Sequence, residues 1–426
     1  MRIVDIEAIA ISAPNPAGTY WGKAAWGADA AGGPPDPGGS TILGDPGGSS
    51  NLVDPLAHWR TTQVPHPARM RPSYAVGIDT TLVRIETDTG IVGWGEAKAP
   101  VAPRVAQTII NDLLRDLVIG ADPRDIEVIW ETLYASMRLR GHDGGFLVES
   151  ISGIDIALWD ILGKHTGAPI HRLLGGAYRD RIKVYASGVP ATRAARGEAD
   201  HAKMLAAAQS AVDRGFLGLK MAIGSEPAAD VASVRAVREL VGPGMAIFAD
   251  AAGSYDVGKA VAVGRELEAL GVGFLEAPLP HEFVDGYAEI ARTLSLPIAN
   301  DVITTRYQVL DYLKRSALDI VQPDVCRTGG ITELKRIAVL CDAFGVAFTP
   351  HVSIGSAVHF IASAHCAAAA PNLHQMEYWF GQNPLGDAIL VEPALGVVDG
   401  HLPVPTGPGL GIKIDEAVVR SLAVGA

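Results

Sequence analysis

The sequence predicts an α/β protein, a modified (β/α)8 barrel with an α+β capping domain formed by the N-terminal region and the C-terminal tail. Three observations carry this expectation. Short apolar runs in the second half each close on a charged or imidazole side chain: Lys220 in FLGLK, Asp250 in MAIFAD, Glu276 in VGFLE, Asp301 in LPIAND, Asp324 in DIVQPD, His351 in VAFTPH and Glu377 in LHQMEYW. From Asp250 onward these residues recur every 23 to 27 positions, and one strand, one helix and two loops need about 25. The chain has 426 residues, more than one core usually covers, so two domains are expected. A polar residue ending every strand of a repeated βα unit is what a TIM barrel requires, because all strand ends then meet at one mouth.

The elements follow in order. Residues 2–12 alternate as a strand. Residues 13–75 are rich in Gly and Pro without period and read as one long loop, anchored by Tyr20, Trp21 and Trp26. Loops of that length are lids or inert insertions, and both readings stay open. Residues 79–97 read as two strands around an Asp88-Thr89-Gly90 turn. Residues 103–118 and 123–140 carry Leu, Ile and Val at helical spacing. Residues 1–140 thus make the capping domain.

From 144 the texture changes. FLVESISGIDIALWDILGKHTG is a helix with Ile151, Ile154, Leu158 and Ile161 along one side, ended by Gly163 or Gly167. Trp159 and Asp155 within it read as packing and capping residues. Eight strands then alternate with helices, starting at RIKVYASG (181–188), with helical segments such as 196–213, 227–240, 257–270, 330–343 and 356–370. The barrel domain is placed at 141–384. The turn-rich tail 385–426 is expected to pack back on the capping domain.

Composition narrows the function. Hydrophobic residues make up 48% and charged residues 19%, as in ordinary globular proteins. No apolar run reaches the ~20 residues of a membrane helix. The start MRIVDIEAIAIS lacks the basic, apolar and cleavage regions of a signal peptide, so a soluble, cytoplasmic protein is expected. Cys326, Cys341 and Cys366 have no disulfide-framework or metal spacing and read as reduced core residues. The net charge of −12 has no basic cluster against it, which disfavours nucleic acid as a partner, and no membrane partner is expected. An acidic protein that binds an anionic small molecule must neutralise it locally, for example with a metal.

The strand-end residues supply such a site. Asp250, Glu276 and Asp301 close three consecutive strands. One such residue would read as a helix cap; three in succession read as an oxygen-only ligand set suited to Mg2+. Asn300 competes with Asp301 for the inward position. Asp324 and His351 close the next two strands. A carboxylate on one imidazole nitrogen fixes the tautomer and raises the basicity of the other, which makes a general base. Lys220 can neutralise a substrate carboxylate, stabilise an enolate or act as a base if its pKa is lowered. Glu377 can donate to an enolate oxygen if it is held protonated among Met376, Tyr378 and Trp379. A divalent ion on a carboxylate, with a base beside it, permits removal of an α-proton, after which a β-hydroxyl can leave.

Three runs, SGIDIALWDILGKHTGAPIHRLLGG, DIVQPDVCRTGGITE and TPHVSIGSA, make the chain resemble the mandelate racemase subgroup of the enolase superfamily, over nearly its whole length. The resemblance implies a substrate-determining capping domain and a catalytic barrel. It implies metal ligands at Asp250, Glu276 and Asp301, a His351–Asp324 dyad and an enolate-stabilising acid at Glu377. It also implies a homo-oligomer. MEYWFGQNPLGDAILVEP and GPGLGIKI look most similar to D-galactarolactone cycloisomerases and related sugar-acid enzymes. One departure matters. The family carries Lys-x-Lys after the second barrel strand, and here Lys220-Met221-Ala222 puts Ala222 in place of the second Lys. That disfavours racemisation, which needs a base on each face. The expected function is Mg2+-dependent dehydration of an acid sugar through His351. Cycloisomerisation of a sugar-acid lactone is the alternative, and a sugar-acid-binding protein of low turnover is a third.

Overall fold

The computed structural model describes residues 1–13, 40–41, 61–63, 73–75, 77–190, 197–381, 383–392 and 396–424. Most of the long loop expected at 13–75 lies outside the described residues. Within it, the short strands Ser40–Thr41, Thr61–Gln63 and Ser73–Ala75 pair as a small antiparallel sheet.

The N-terminal strand Ile3–Ala13 pairs antiparallel with Ile78–Thr87, which pairs in turn with Val92–Ala97. The turn between the last two reverses at Gly90, whose φ of 79° suits a residue without a Cβ. The 22-residue helix Gly145–Thr166 is buried along nearly its whole length. Such a helix must be covered on every side. The capping sheet covers one side, and the helix approaches it closely because both surfaces are small. A Cβ added at Gly95 would lie 1.8 Å from the Gly153 carbonyl oxygen, and one at Gly93 would lie 2.3 Å from that of Ala157. The barrel covers another side. Asp155 accepts from the Thr332 amide at 3.0 Å and its hydroxyl at 2.5 Å, and Trp159 donates to that hydroxyl at 2.9 Å. These two polar residues fasten the helix to the Gly330–Ala343 helix of the barrel.

The barrel strands are Arg181–Val189, Gly218–Ala222, Ala246–Asp250, Val272–Glu276, Ile298–Asn300, Ile320–Val321, Ala347–Phe348 and Met376–Trp379. Neighbours pair in parallel in chain order, and the eighth strand pairs with the first. The seventh and eighth meet through a single bridge, Phe348 to Leu373, and through the Glu377 amide on the Pro350 carbonyl at 3.3 Å. An ion-pair layer therefore sits above an aromatic one. Phe248 and Phe274 lie two residues before Asp250 and Glu276, on the same strand face. Their rings stack with centroids 4.3 Å apart, and Tyr185 closes against Phe248 at 5.0 Å. This fill makes the barrel interior a packed core beneath the mouth. Cys326, Cys341 and Cys366 are all buried free thiols.

Candidate active site

Strand register brings the strand-end residues together. Glu276 is the direct partner of Asp250, and Asp250 of Ala222. Asp301 follows the last residue of the fifth strand. Asn300 turns away from the mouth: its amide donates to the Tyr312 hydroxyl at 3.1 Å and its oxygen accepts from the Val302 amide at 3.0 Å. Asp301 faces inward instead, with Oδ2 3.5 Å from His351 Nε2.

Two charge centres result. In the first, Lys220 Nζ donates to both Glu276 oxygens, at 2.8 and 2.9 Å. It also lies 2.8 Å from Glu377 Oε1 and 3.6 Å from Asp250 Oδ2. Gln322 holds the far oxygen of Glu276 at 2.7 Å. Burial alone would depress the Lys220 ammonium, but Glu276 and Glu377 hold it well above the ordinary lysine range. Burial pushes Glu276 up, and the Asp250 and Asp301 charges add to that against the pull of Lys220. Asp250 is raised for the same reasons, burial first and then Asp301.

In the second centre, His351 Nδ1 lies 2.9 Å from Asp324 Oδ2, leaving Nε2 toward Asp301 and, at 3.7 Å, Glu377 Oε2. Asp324 is fully buried. Burial would raise its pKa, but His359, Lys98 and His351 together hold it well below the usual carboxylate range.

Two expectations change. Lys220 was allowed the role of base if its pKa fell, but its carboxylate neighbours raise the pKa and occupy the ammonium. Glu377 was expected to donate if held protonated. Burial does push its carboxyl up, yet Lys220 and His351 outweigh that and bring it to about 2. It is an acceptor, taking the Lys220 ammonium on Oε1 and the Val352 amide at 2.9 Å on Oε2. Glu377 thus bridges the two centres. Ala222 leaves no ionisable group one turn of the pleat beyond Lys220.

The residues fit a divalent cation. Glu276 is fully buried, while the Asp250 and Asp301 side chains are 21% and 16% exposed and open to the mouth. One ligand atom each from Glu276, Asp301 and His351 falls within a 4.8 Å cluster. Glu276, Glu377 and Asp250 share the one Lys220 ammonium, and Asp301 stands beside them, an excess of anionic charge that an oxygen-seeking cation would balance. A second cluster, Asp324, Cys326 and His359, falls within the same 4.8 Å limit, but the Lys98 ammonium already pairs with its carboxylate. The Cys326 thiol there is pushed well up by burial, and further by Glu96 and Asp324, so it stays protonated.

Four residues of this site escaped sequence reasoning: Lys98, Glu96, His359 and Gln322. Lys98 and Glu96 sit at the end of a capping strand, and His359 on an apolar helix where a lone histidine reads as packing.

Comparison with known proteins shows the family. Residues 203–418 match the family model of the enolase C-terminal domain-like fold. Residues 60–175 match that of the mandelate racemase/muconate lactonizing enzyme N-terminal domain. The chain is 37% identical over 343 residues to D-galactarolactone cycloisomerase of Agrobacterium fabrum, covering 79% of this chain and 89% of the relative. It is 35% identical to arabinonate dehydratase of Saccharolobus solfataricus, covering 80% and 90%. A solved enolase superfamily member from Agrobacterium tumefaciens superposes with a TM-score of 0.83 at 28% identity, over 99% of this chain and 98% of that one. The protein belongs to the mandelate racemase/muconate lactonizing enzyme family of the enolase superfamily. It is an enzyme of the lyase or isomerase type, with a capped, modified TIM barrel. Members of this superfamily bind a divalent metal, and the acidic strand ends are the candidate site for one. Among the described residues no helix is long and apolar enough to cross a membrane.

Proposed function

We propose that the protein is a Mg2+-dependent acid-sugar dehydratase. The observation that carries this reading is the one-sidedness of the site. His351 presents Nε2 to the mouth with Asp324 behind it, whereas the Lys220 side offers only an ammonium already paired with Glu276 and Glu377. A bound Mg2+ on Asp250, Glu276 and Asp301 would supply electrostatic stabilisation of a carboxylate gaining enediolate charge.

The remaining steps belong to the chain. His351 Nε2 takes the α-proton of a polyhydroxy carboxylate, and the C–H electrons move toward the carboxylate. Asp324 stabilises the imidazolium on its other nitrogen. The imidazolium returns its proton to the β-hydroxyl, which leaves as water, and the resulting enol becomes a 2-keto acid. Lys220 keeps Glu276 and Glu377 from repelling the substrate anion. No second base stands at Ala222, so exchange at the α-carbon proceeds on one face and configuration is retained.

A second reading is cycloisomerisation of a sugar-acid lactone, favoured by the 37% identity to a D-galactarolactone cycloisomerase. The same base acts, and a ring oxygen leaves in place of hydroxide. A screen of acid sugars and their lactones with MgCl2 in D2O separates the two. A dehydratase yields 2-keto product with loss of one water, and a cycloisomerase yields product of unchanged composition. His351→Asn is expected to lower turnover by at least 10²–10⁴-fold, the usual share of a general base. Retained turnover in H351N overturns the assignment, and inversion at the α-carbon overturns the one-sided site.

A further inference from the structure

We propose that the end of the Val92–Ala97 capping strand is a positioning device for the catalytic dyad, with Lys98 holding the Asp324 carboxylate in register for His351. The proposal rests on the dyad reading above.

Asp324 has about four lone-pair directions to fill; three accept hydrogen bonds and the fourth faces an imidazole at ion-pair distance. Oδ2 accepts from His351 Nδ1 and from Lys98 Nζ, both at 2.9 Å. Oδ1 accepts from the Cys326 amide at 2.9 Å and faces His359 Nε2 at 3.1 Å. The Lys98 ammonium is itself fixed by donating to the Ser353 hydroxyl, and its backbone amide reaches the Cys326 carbonyl at 3.5 Å. Lys98 is 2% exposed, so the ammonium has no water to fall back on.

The neighbouring side chain on the same strand face secures the other side. Glu96 accepts the Ser356 amide at 3.0 and 3.1 Å, the Ser356 hydroxyl at 2.5 Å and the His359 amide at 3.0 Å. These are donors at the start of the Ala357–Ala369 helix that the helix cannot satisfy itself. A carboxylate there is also favoured by the helix dipole. Glu96 therefore sets where His359 stands, and His359 faces Asp324 Oδ1. Lys98 acts on one oxygen directly and Glu96 acts on the other through the helix. The base of the barrel is oriented from the capping domain, so a chain whose cap is displaced has a dyad without its second anchor.

The two-residue offset on one strand face is what lets a single strand end do both. Buried ion pairs in general add little net stability. The position of this one, touching the carboxylate that orients the base, is a reason for retaining it.

The test compares Lys98→Met, which keeps the chain length without the charge, with Lys98→Arg, which keeps the charge. Two readouts are used on the full Mg2+-loaded protein. The first is kcat and KM for the acid sugar found in the screen. The second is the low-field proton resonance of the His351 Nδ1–H to Asp324 bond, assigned by its loss in H351N. K98M is expected to lower kcat about 10²-fold, the cost of a misplacement of about 1 Å, with KM changed less than about threefold. Its low-field resonance is expected to shift or vanish. K98R is expected to recover at least a tenth of the activity and the resonance. An unmoved resonance with kcat within about threefold overturns the proposal. A rise in KM at constant kcat overturns it too, because that marks a substrate contact. If K98M does not fold, Ser353→Ala removes the second anchor alone and is expected to shift the same resonance, and its failure to do so is equally decisive. If no acid sugar is turned over by the wild type, the functional reading fails, while the resonance comparison still decides the role of Lys98.

Discussion

At the scale of single residues, the site is governed by how few cations face how many carboxylates. Lys220 is the ammonium shared by Glu276 and Glu377, with Asp250 just beyond. Glu276 is fully buried, so removing its partner leaves an uncompensated charge, a loss that typically costs about 3–5 kcal/mol. Lys220→Met is expected to lower the unfolding free energy by about that much without divalent ion, measured by urea denaturation at neutral pH. MgCl2 should recover a larger share of stability in K220M than in wild type, because the cation then supplies the charge that the ammonium supplied. Equal Mg2+ effects in both would show that the ion binds elsewhere. The sequence singled out seven residues as strand ends, although Lys220 and Glu377 lie within their strands. A period near 25 residues survives in the chain whatever the tertiary detail. Their protonation was not legible. Whether Glu377 is an acid or an anion depends on Lys220 and His351, which are near it only in space. Lys98 was invisible for the same reason, since its partner Asp324 is 226 residues away.

At the scale of elements, helix ends and strand ends do the positioning, and one junction titrates. His171, at the start of the short Ile170–Leu173 helix, meets His365 on the Ala357–Ala369 helix, with Nδ1 atoms 3.2 Å apart. His365 Nε2 donates to the Leu410 carbonyl at 3.1 Å, which ties in the C-terminal segment. Burial lowers the His365 pKa to about 3, and the nearby His171 adds to this. The fold therefore holds His365 neutral while the unfolded chain takes a proton near pH 6.5. Stability conferred by the neutral form is complete above that pH and is lost as pH falls toward 3. Between pH 7 and 5 the loss is about 2 kcal/mol. His365→Gln removes this dependence, so the stability gap between wild type and H365Q, read from urea midpoints, is expected to narrow by about 2 kcal/mol at pH 5. A constant gap would mean that His365 is already charged in the fold. The helix carrying His365 was foreseen from its apolar run, because packing dictates it. The pairing across to His171 was not, because two histidines 194 residues apart leave no local pattern.

At the scale of the whole molecule, the fold concentrates negative charge at one mouth of a chain that already carries a net charge of −12. The aromatic layer of Tyr185, Phe248 and Phe274 lies directly beneath the ion-pair layer. The carboxylates therefore border a dry core on one side, where their repulsion is weakly screened. The capping domain closes on this layer through Lys98 and Glu96, so the buried charges and the domain contact are parts of one structure. A cation bound among Asp250, Glu276 and Asp301 relieves the repulsion only in the folded state. Folding and binding are then linked by mass action, worth about 2.7 kcal/mol when the ion stands at 100 times its Kd. Calorimetric scans are expected to show the melting temperature rising by a few degrees on adding MgCl2. EDTA should reverse the rise, and NaCl at matched ionic strength should not reproduce it. Asp250→Asn removes one ligand while leaving Lys98 and the cap contact untouched, so it should blunt the rise without altering the shape of the transition. A rise produced equally by NaCl would show that general screening of the net charge, and not a cation at the barrel mouth, stabilises the protein.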